Sequence, residues 1–212
     1  MSDDARMTTI FLVRHGQTTA NRDQVIAGFE DSPLTEEGRA QVRSLAGLMA
    51  GIRIDVAFTS TLSRAYKSCE EILRGRDMEA VRLDDLREQH FGKWEGMKVE
   101  DVMEQEPDLL MSFKTNPLRS RPTGGENLME FAERVKQVFR TVMIPDNHGK
   151  NILCVCHGGV VRMALCYLLD LDLDRHAFRF DITNASLTVV RYGSFGHQLL
   201  ALGLRDPGAW KY

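Results

Sequence analysis

Four basic side chains sit where chemistry could be done. Residues 8–13 form a continuous apolar and β-branched run that stops at Arg14-His15-Gly16. Residues 56–60 form a second such run, which leads into Thr61-Leu62-Ser63-Arg64, and residues 152–156 a third, which stops at His157-Gly158-Gly159. Two guanidinium and two imidazole groups, each just beyond a buried strand, call for an anion. A phosphoryl group fits best, because arginine offers planar paired donors and a helix starting after a strand adds backbone N–H groups. Gly16, Gly158 and Gly159 let the backbone approach the ligand closely. A single strand-end histidine is more often structural than catalytic, and a single arginine usually pairs with a carboxylate. Three strand mouths carrying basic groups have no such structural explanation.

The elements that must position these groups follow from pattern. Residues 8–13, 56–60 and 152–156 read as strands buried on both faces. Val42, Leu45, Ala46 and Met49 form one stripe of a helix over 35–50, with Glu36 and Glu37 at its positive end. Further helices are expected after Arg64, to about residue 73, and after His157, over about 160–169. Leu128, Phe131, Val135, Val138, Phe139 and Val142 recur at helical spacing after Gly124-Gly125. Residues 87–96 read as loop, and 97–122 as short helical pieces broken by Pro107, Pro117 and Pro122. Residues 185–191 and 198–204 read as one or two edge strands. The alternation of strand and helix predicts an α/β three-layer sandwich with a mainly parallel central sheet and helices on both faces. Residues about 90–125 are expected to form a small helical flap over the site. In such sheets ligands bind beyond the carboxyl ends of the strands, so the basic groups are expected to meet there.

At 212 residues the chain suits one compact domain, 1–212. Its 27 Lys and Arg against 30 Asp and Glu give no global field for nucleic acid or an anionic membrane, so an anion site must be built locally. Residues 1–6 are polar and acidic where a secretory signal needs a basic start and an apolar run. The longest apolar stretch, 160–173, is interrupted by Arg162, Asp170 and Asp172. Cys69, Cys154, Cys156 and Cys166 do not resemble the disulfide framework of a short secreted protein. The expectation is a soluble cytoplasmic protein that takes a small phosphate ester and binds neither nucleic acid nor membrane. Cys154-Val155-Cys156-His157 invites a zinc reading, but the spacing matches no common zinc pattern and no fourth ligand is visible, so no metal and no cofactor are expected.

The string Leu12-Val13-Arg14-His15-Gly16-Gln17-Thr18, with Asn21 following, resembles the signature of the histidine phosphatase superfamily in its phosphoglycerate mutase-like branch. Pro33-Leu34-Thr35-Glu36-Glu37-Gly38, Thr59-Ser60-Thr61-Leu62-Ser63-Arg64-Ala65, Leu86-Arg87-Glu88 with Phe91-Gly92-Lys93-Trp94-Glu95-Gly96, and His157-Gly158-Gly159 continue the resemblance in order. It implies that neutral His15 attacks phosphorus, that Arg14, Arg64 and His157 grip the phosphoryl group, and that Glu88 protonates the leaving group. A carboxyl beside a phosphate dianion tends to keep its proton, as a donor must. Asn21, Gly28 and Gly158 match positions that touch the substrate.

Hydrolases and mutases share these features. Mutases of the branch carry a tyrosine and a lysine at positions that here are Phe91 and Val99, which favours a phosphatase. Pro122-Thr123-Gly124-Gly125-Glu126 and Asn184-Ala185-Ser186 are similar to α-ribazole phosphatases. The alternatives are a cofactor-dependent type of phosphoglycerate mutase and a non-catalytic protein that binds a phosphate ligand. Arg119 and Arg121 in the flap either meet a second substrate anion or form a solvated face.

Overall fold

The computed structural model describes residues 7–193 and 196–205. The polar segment 1–6 lies outside them. In chain order the elements are β1 (Thr8–Arg14), α1 (Thr19–Asp23), α2 (Glu36–Met49), β2 (Val56–Ser60), α3 (Ser63–Ile72), β3 (Val81–Leu83), α4 (Val99–Gln105) and α5 (Pro107–Thr115). They continue with α6 (Leu128–Val138), β4 (Asn151–Cys156), α7 (Gly158–Leu168), α8 (Leu173–His176), β5 (Leu187–Gly193) and β6 (Gly196–Leu204).

The strands form one sheet in the order β3-β2-β4-β1-β5-β6, parallel from β3 to β1 and antiparallel at β5 and β6. Successive side chains of a strand point to opposite faces, and both faces here are apolar. Ile10, Leu12, Phe58, Ile152, Cys154 and Cys156 pack with α6 and α7, while Phe11, Val13, Ala57, Leu153 and Val155 pack with α2 and α3. The result is the expected three-layer sandwich. Of the two tail segments, 198–204 falls in the edge strand β6, whereas 185–191 falls largely in β5, which lies between β1 and β6 and is not an edge; the sheet's other edge is β3. Leu187 to Val190 are fully buried while the second half of the strand is partly exposed, so its polar half masked a core position.

Residues 92–125 include a satellite cluster built on Trp94, Val102 and Leu110 with Ile26, Phe91 and Phe113 packed around them. Trp94 anchors it, its Nε1–H donating to Glu106 at 2.6 Å and its ring meeting Phe113 edge-on. Backbone bonds from Ile26 N to Met97 O and from Gly96 N to Ile26 O tie this unit to the segment around residues 24–31. Among the described residues no helix is long and apolar enough to cross a membrane.

The first turn of α2 rests directly on the segment after β1. Thr35 caps the helix through a bond from Gly38 N to its Oγ1 at 2.9 Å. A Cβ on Gly38 would stand 2.0 Å from the Gln17 carbonyl oxygen, and one on Gly16 would stand 2.4 Å from the Gly38 oxygen. Gly47, in the same helix, meets nothing within 4 Å. Gly→Ala in a helix ordinarily stabilises, so the two positions should respond with opposite signs. In urea unfolding, Gly47→Ala should gain about 0.5–1 kcal/mol, whereas Gly38→Ala should lose about 1–3 kcal/mol by overpacking. Equal signs would show that α2 does not bear on this loop.

Candidate active site

The carboxyl ends of β1, β2 and β4 converge, and the side chains that follow them form one buried group. His15 leaves β1 with its backbone fixed on both sides: its N–H donates to Cys156 O at 3.0 Å, and its carbonyl accepts from Ala185 N at 2.9 Å and Asn184 Nδ2 at 3.3 Å. The ring is only 4% exposed. Its Nδ1 lies 2.7 Å from the Gly16 carbonyl, which can only accept, so Nδ1 carries the hydrogen and Nε2 keeps its lone pair. Burial, then the charges of Arg64 and Arg14, push its pKa well below the ordinary histidine value, so the ring is neutral.

Arg14 donates from Nη1 to the Ile182 carbonyl at 2.6 Å, and its buried Nε has no partner among the described residues. A buried N–H without an acceptor costs about 1–3 kcal/mol, so an unpaired guanidinium donor in this buried group points to a ligand oxygen. Gly158 lies against this guanidinium, and a Cβ there would be 3.4 Å from Nε.

Arg64 stands in the first turn of α3, whose N-terminus is capped by Asp31 accepting from Ser63 N at 2.7 Å. The guanidinium is 2% exposed and is held by backbone carbonyls, with Nη2 on Gly28 O at 2.6 Å and Nη1 on Glu30 O at 2.8 Å. Its Nε donates to His157 Nδ1 at 3.3 Å. His157 is fully buried, its Nε2 lies 2.9 Å from Ser60 Oγ, and its ring meets that of His15 edge-on at 5.1 Å between centroids. With Nδ1 accepting, Nε2–H donates to Ser60. Burial first, then Arg64 and His15, drives the His157 pKa well below its ordinary value.

Glu88 reaches the same place from the loop after β3. Its Oε2 accepts from Gly159 N at 3.0 Å and its Oε1 from Gln89 N at 2.9 Å. A Cβ on Gly159 would stand 2.2 Å from Glu88 Oε1, so only glycine admits the carboxyl there. Asn21 closes the capping box of α1 with its Oδ1, which also accepts from Asn184 Nδ2 at 2.9 Å. Gly28, at φ +53°, presents its carbonyl to Arg64, so it bears on the site through that guanidinium.

Arg14, His15, Arg64, Glu88, His157 and Gly158 are thus brought together, with Asn21 and Gly28 beside them. Arg119 and Arg121 are exposed, and Arg121 pairs with Glu130 at 2.9 Å. Phe91 packs into the satellite cluster, and Val99 is exposed at the start of α4. Cys154 and Cys156 lie in the core against α6 and α7, where burial pushes the Cys156 thiol well above its ordinary range.

Several supporting residues escape the sequence reading. Ser68 accepts from Gly16 N at 3.2 Å and donates to the Arg64 carbonyl at 2.7 Å, linking the two arginine-bearing segments. Glu95 accepts from the N–H groups of Phe29, Glu30 and Phe91 at 3.0, 2.7 and 2.9 Å, which shapes the loop that holds Arg64. Its signal was present in the Phe91–Gly96 string, while Ser60 and Ser68 look like ordinary strand-end and helix serines.

The sequence profile of the Histidine phosphatase superfamily (branch 1) matches residues 10–205. The chain is 34% identical over 171 residues to 2,3-bisphosphoglycerate-dependent phosphoglycerate mutase 2 of Gloeobacter violaceus, covering 78% of this chain and 76% of that one. It is 30% identical over 198 residues to phosphoserine phosphatase 1 of Hydrogenobacter thermophilus, covering 93% of each. The crystal structure of the alpha-ribazole phosphatase from Shigella flexneri superposes with a TM-score of 0.88 at 25% identity, over 96% of this chain and 100% of that one. The chain belongs to the histidine phosphatase superfamily, branch 1.

Proposed function

We propose that this chain is a phosphomonoester hydrolase that works through a phosphohistidine on His15, without metal or cofactor. The observation that carries the reading is the state of His15: a neutral, buried imidazole whose Nδ1–H is committed to Gly16 O, leaving Nε2 with its lone pair next in sequence to Arg14, whose Nε–H is unpaired. Nε2 attacks phosphorus in line as the bond to the leaving oxygen breaks. Arg14 and Arg64 take the phosphoryl charge that grows in the transition state. His157 joins them as an imidazolium: the incoming phosphate monoanion gives its proton to Nδ1, which lets go of the Arg64 Nε–H and donates to the phosphoryl oxygen, while Nε2–H stays on Ser60. Asn21 Nδ2 and the N-terminus of α7 at Gly158 complete the cradle, and Gly28 acts by holding Arg64.

Glu88 gives its proton to the departing alkoxide, then takes one from the water that attacks phosphohistidine, so the site returns to its starting state. In this reading residues 1–212 are a single domain, residues about 90–125 are its flap, and the protein works in a reducing cytoplasm on a small soluble ester. Nucleic acid and membrane play no part in it. The names of the relatives make α-ribazole phosphate and phosphoserine the first esters to test. A mutase is the second reading, raised by the Gloeobacter relative. The apolar Phe91 in the satellite cluster and exposed Val99 disfavour it, since neither offers a donor to a second anionic group.

Brief mixing with a ³²P-labelled ester should leave acid-labile, alkali-stable label on the protein, lost to water at the turnover rate. His15→Ala should abolish the label and cut turnover by several orders of magnitude, while phosphoglycerate should not be required for discharge. Label on cysteine or serine would refute the mechanism, label released only to phosphoglycerate would establish the mutase, and no hydrolysis of any aryl phosphate would leave a binding protein.

Glu88→Gln should slow an alkyl phosphate by about 10²–10⁴-fold and p-nitrophenyl phosphate far less, since only the poor leaving group needs the proton. Equal losses on both would remove Glu88 as the acid.

The neutral histidines also bear on stability. Their folded pKa values lie below the unfolded value, so the unfolded chain binds more protons in acid and stability falls as the pH drops below about 6.5. Urea unfolding should show lower stability at pH 5 than at pH 7, by at most about 4 kcal/mol from this pair, the limit reached if both unfolded rings protonate while both folded rings stay neutral. The His15→Gln/His157→Gln double variant should lose that part of the pH dependence, and an unchanged slope would mean that the rings are not held neutral.

A further inference from the structure

The mechanism above names the acid but not what keeps it in place. Glu88 follows only a single tight turn, Asp84–Leu86, whose first two residues are exposed. The side chain that meets this loop comes from α6, and it is Arg134. A guanidinium has five N–H donors, and all five of Arg134 are used here. Nη1 donates to Asp85 O at 2.9 Å and Arg87 O at 3.0 Å, and Nη2 donates to Glu88 O at 3.1 Å. The remaining two, from Nε and Nη2, form a paired contact with the Glu126 carboxylate, each at 2.8 Å.

Glu126 passes the restraint on. Its Oε2 also accepts from His90 N at 2.9 Å, its backbone N–H donates to His90 O at 2.8 Å, and its carbonyl accepts from Gln89 Nε2 at 2.9 Å. The Arg134 guanidinium lies 5.1 Å from the Phe131 ring centre, and the Phe131 edge in turn closes on Gly159, whose N–H holds the Glu88 carboxyl. The backbone of Glu88 is therefore set from α6 and its carboxyl from α7.

We infer that Arg134, clamped by Glu126, is the positioning residue for proton donation: it fixes the Glu88 backbone so that the carboxyl reaches the leaving oxygen. The inference rests on Glu88 being the acid. Arg134 touches neither substrate nor reacting atoms. Lysine cannot replace it, because an ammonium has three donors around one point and cannot serve three carbonyls and a carboxylate in one plane. A displacement of about 1 Å in a positioned group can cost ~10²-fold, so loss of the clamp should be felt where the proton matters.

The test compares Arg134→Lys, Glu88→Gln and the double variant on glycerol phosphate and p-nitrophenyl phosphate. Arg134→Lys should lower kcat on glycerol phosphate by about 10–10²-fold, with KM little changed and p-nitrophenyl phosphate affected less than about 3-fold. The double variant should be no slower on glycerol phosphate than Glu88→Gln alone, because a misplaced acid and a missing acid are the same defect. If Arg134→Lys does not fold, Glu126→Gln opens the same clamp more gently and should show the same leaving-group selectivity. Equal slowing of both esters, or losses that multiply in the double variant, would overturn the inference while leaving Glu88 as the acid. Glu88→Gln with no leaving-group dependence would overturn both, and that single variant identifies this case.

Discussion

The structure depends on keeping two charged guanidinium groups and two neutral imidazoles together in a buried space without cancelling the charge of the guanidiniums. Arg14 is anchored by a backbone carbonyl, and Arg64 by two carbonyls and the His157 nitrogen. The nearest ion-pair partner of Arg64, Asp31, stands 3.5 Å away and is 39% exposed. Carbonyl dipoles fix direction while leaving the formal charge intact, so the site keeps a positive field for an incoming anion. Burial, aided by the same field, makes the histidines neutral, and a neutral imidazole is the form that can act as a nucleophile.

This arrangement explains why so much structure is spent on carbonyl placement. The Gly28 and Glu30 carbonyls point at Arg64 because Glu95 draws the adjoining N–H groups the other way, and because the satellite cluster on Trp94 braces that segment. Ile182 O is presented by the segment that leads through Asn184 and Ala185 into β5, the same segment that closes on the His15 carbonyl. Sheet and loops thus act on one small group from both sides.

The parts of this that were legible in the sequence are the local ones. A two-sided apolar run ending at Arg14-His15-Gly16 states both the strand and its mouth, and the helical stripe of Val42, Leu45 and Met49 states the layer beneath. What could not be read is whatever depends on distant pairing. Ser68 is one serine among many until α3 is laid beside the Gly16 segment, and Arg134 sits among surface-like residues of an amphipathic helix until the Glu88 loop is folded against it. The inner position of β5 was hidden for the same reason: partner strands, rather than its own polar half, decide what is covered. Backbone carbonyls carry no residue identity at all, so the anchors of Arg14 and Arg64 leave no trace in composition.

The placement of the four cysteines bears on oxidative chemistry. All are buried and unbonded, and burial raises Cys69 to about 12 and Cys156 well above the ordinary thiol range. Peroxides and disulfides react with thiolates, and at neutral pH a thiol of that acidity is ionised in only about one molecule in 10⁵. On the proposed route through His15 the attacking atom is a ring nitrogen, which offers no sulfur to be converted to a sulfenic acid. An oxidant that inactivates enzymes with an exposed thiolate nucleophile would on that route find no such target between Arg14 and Arg64.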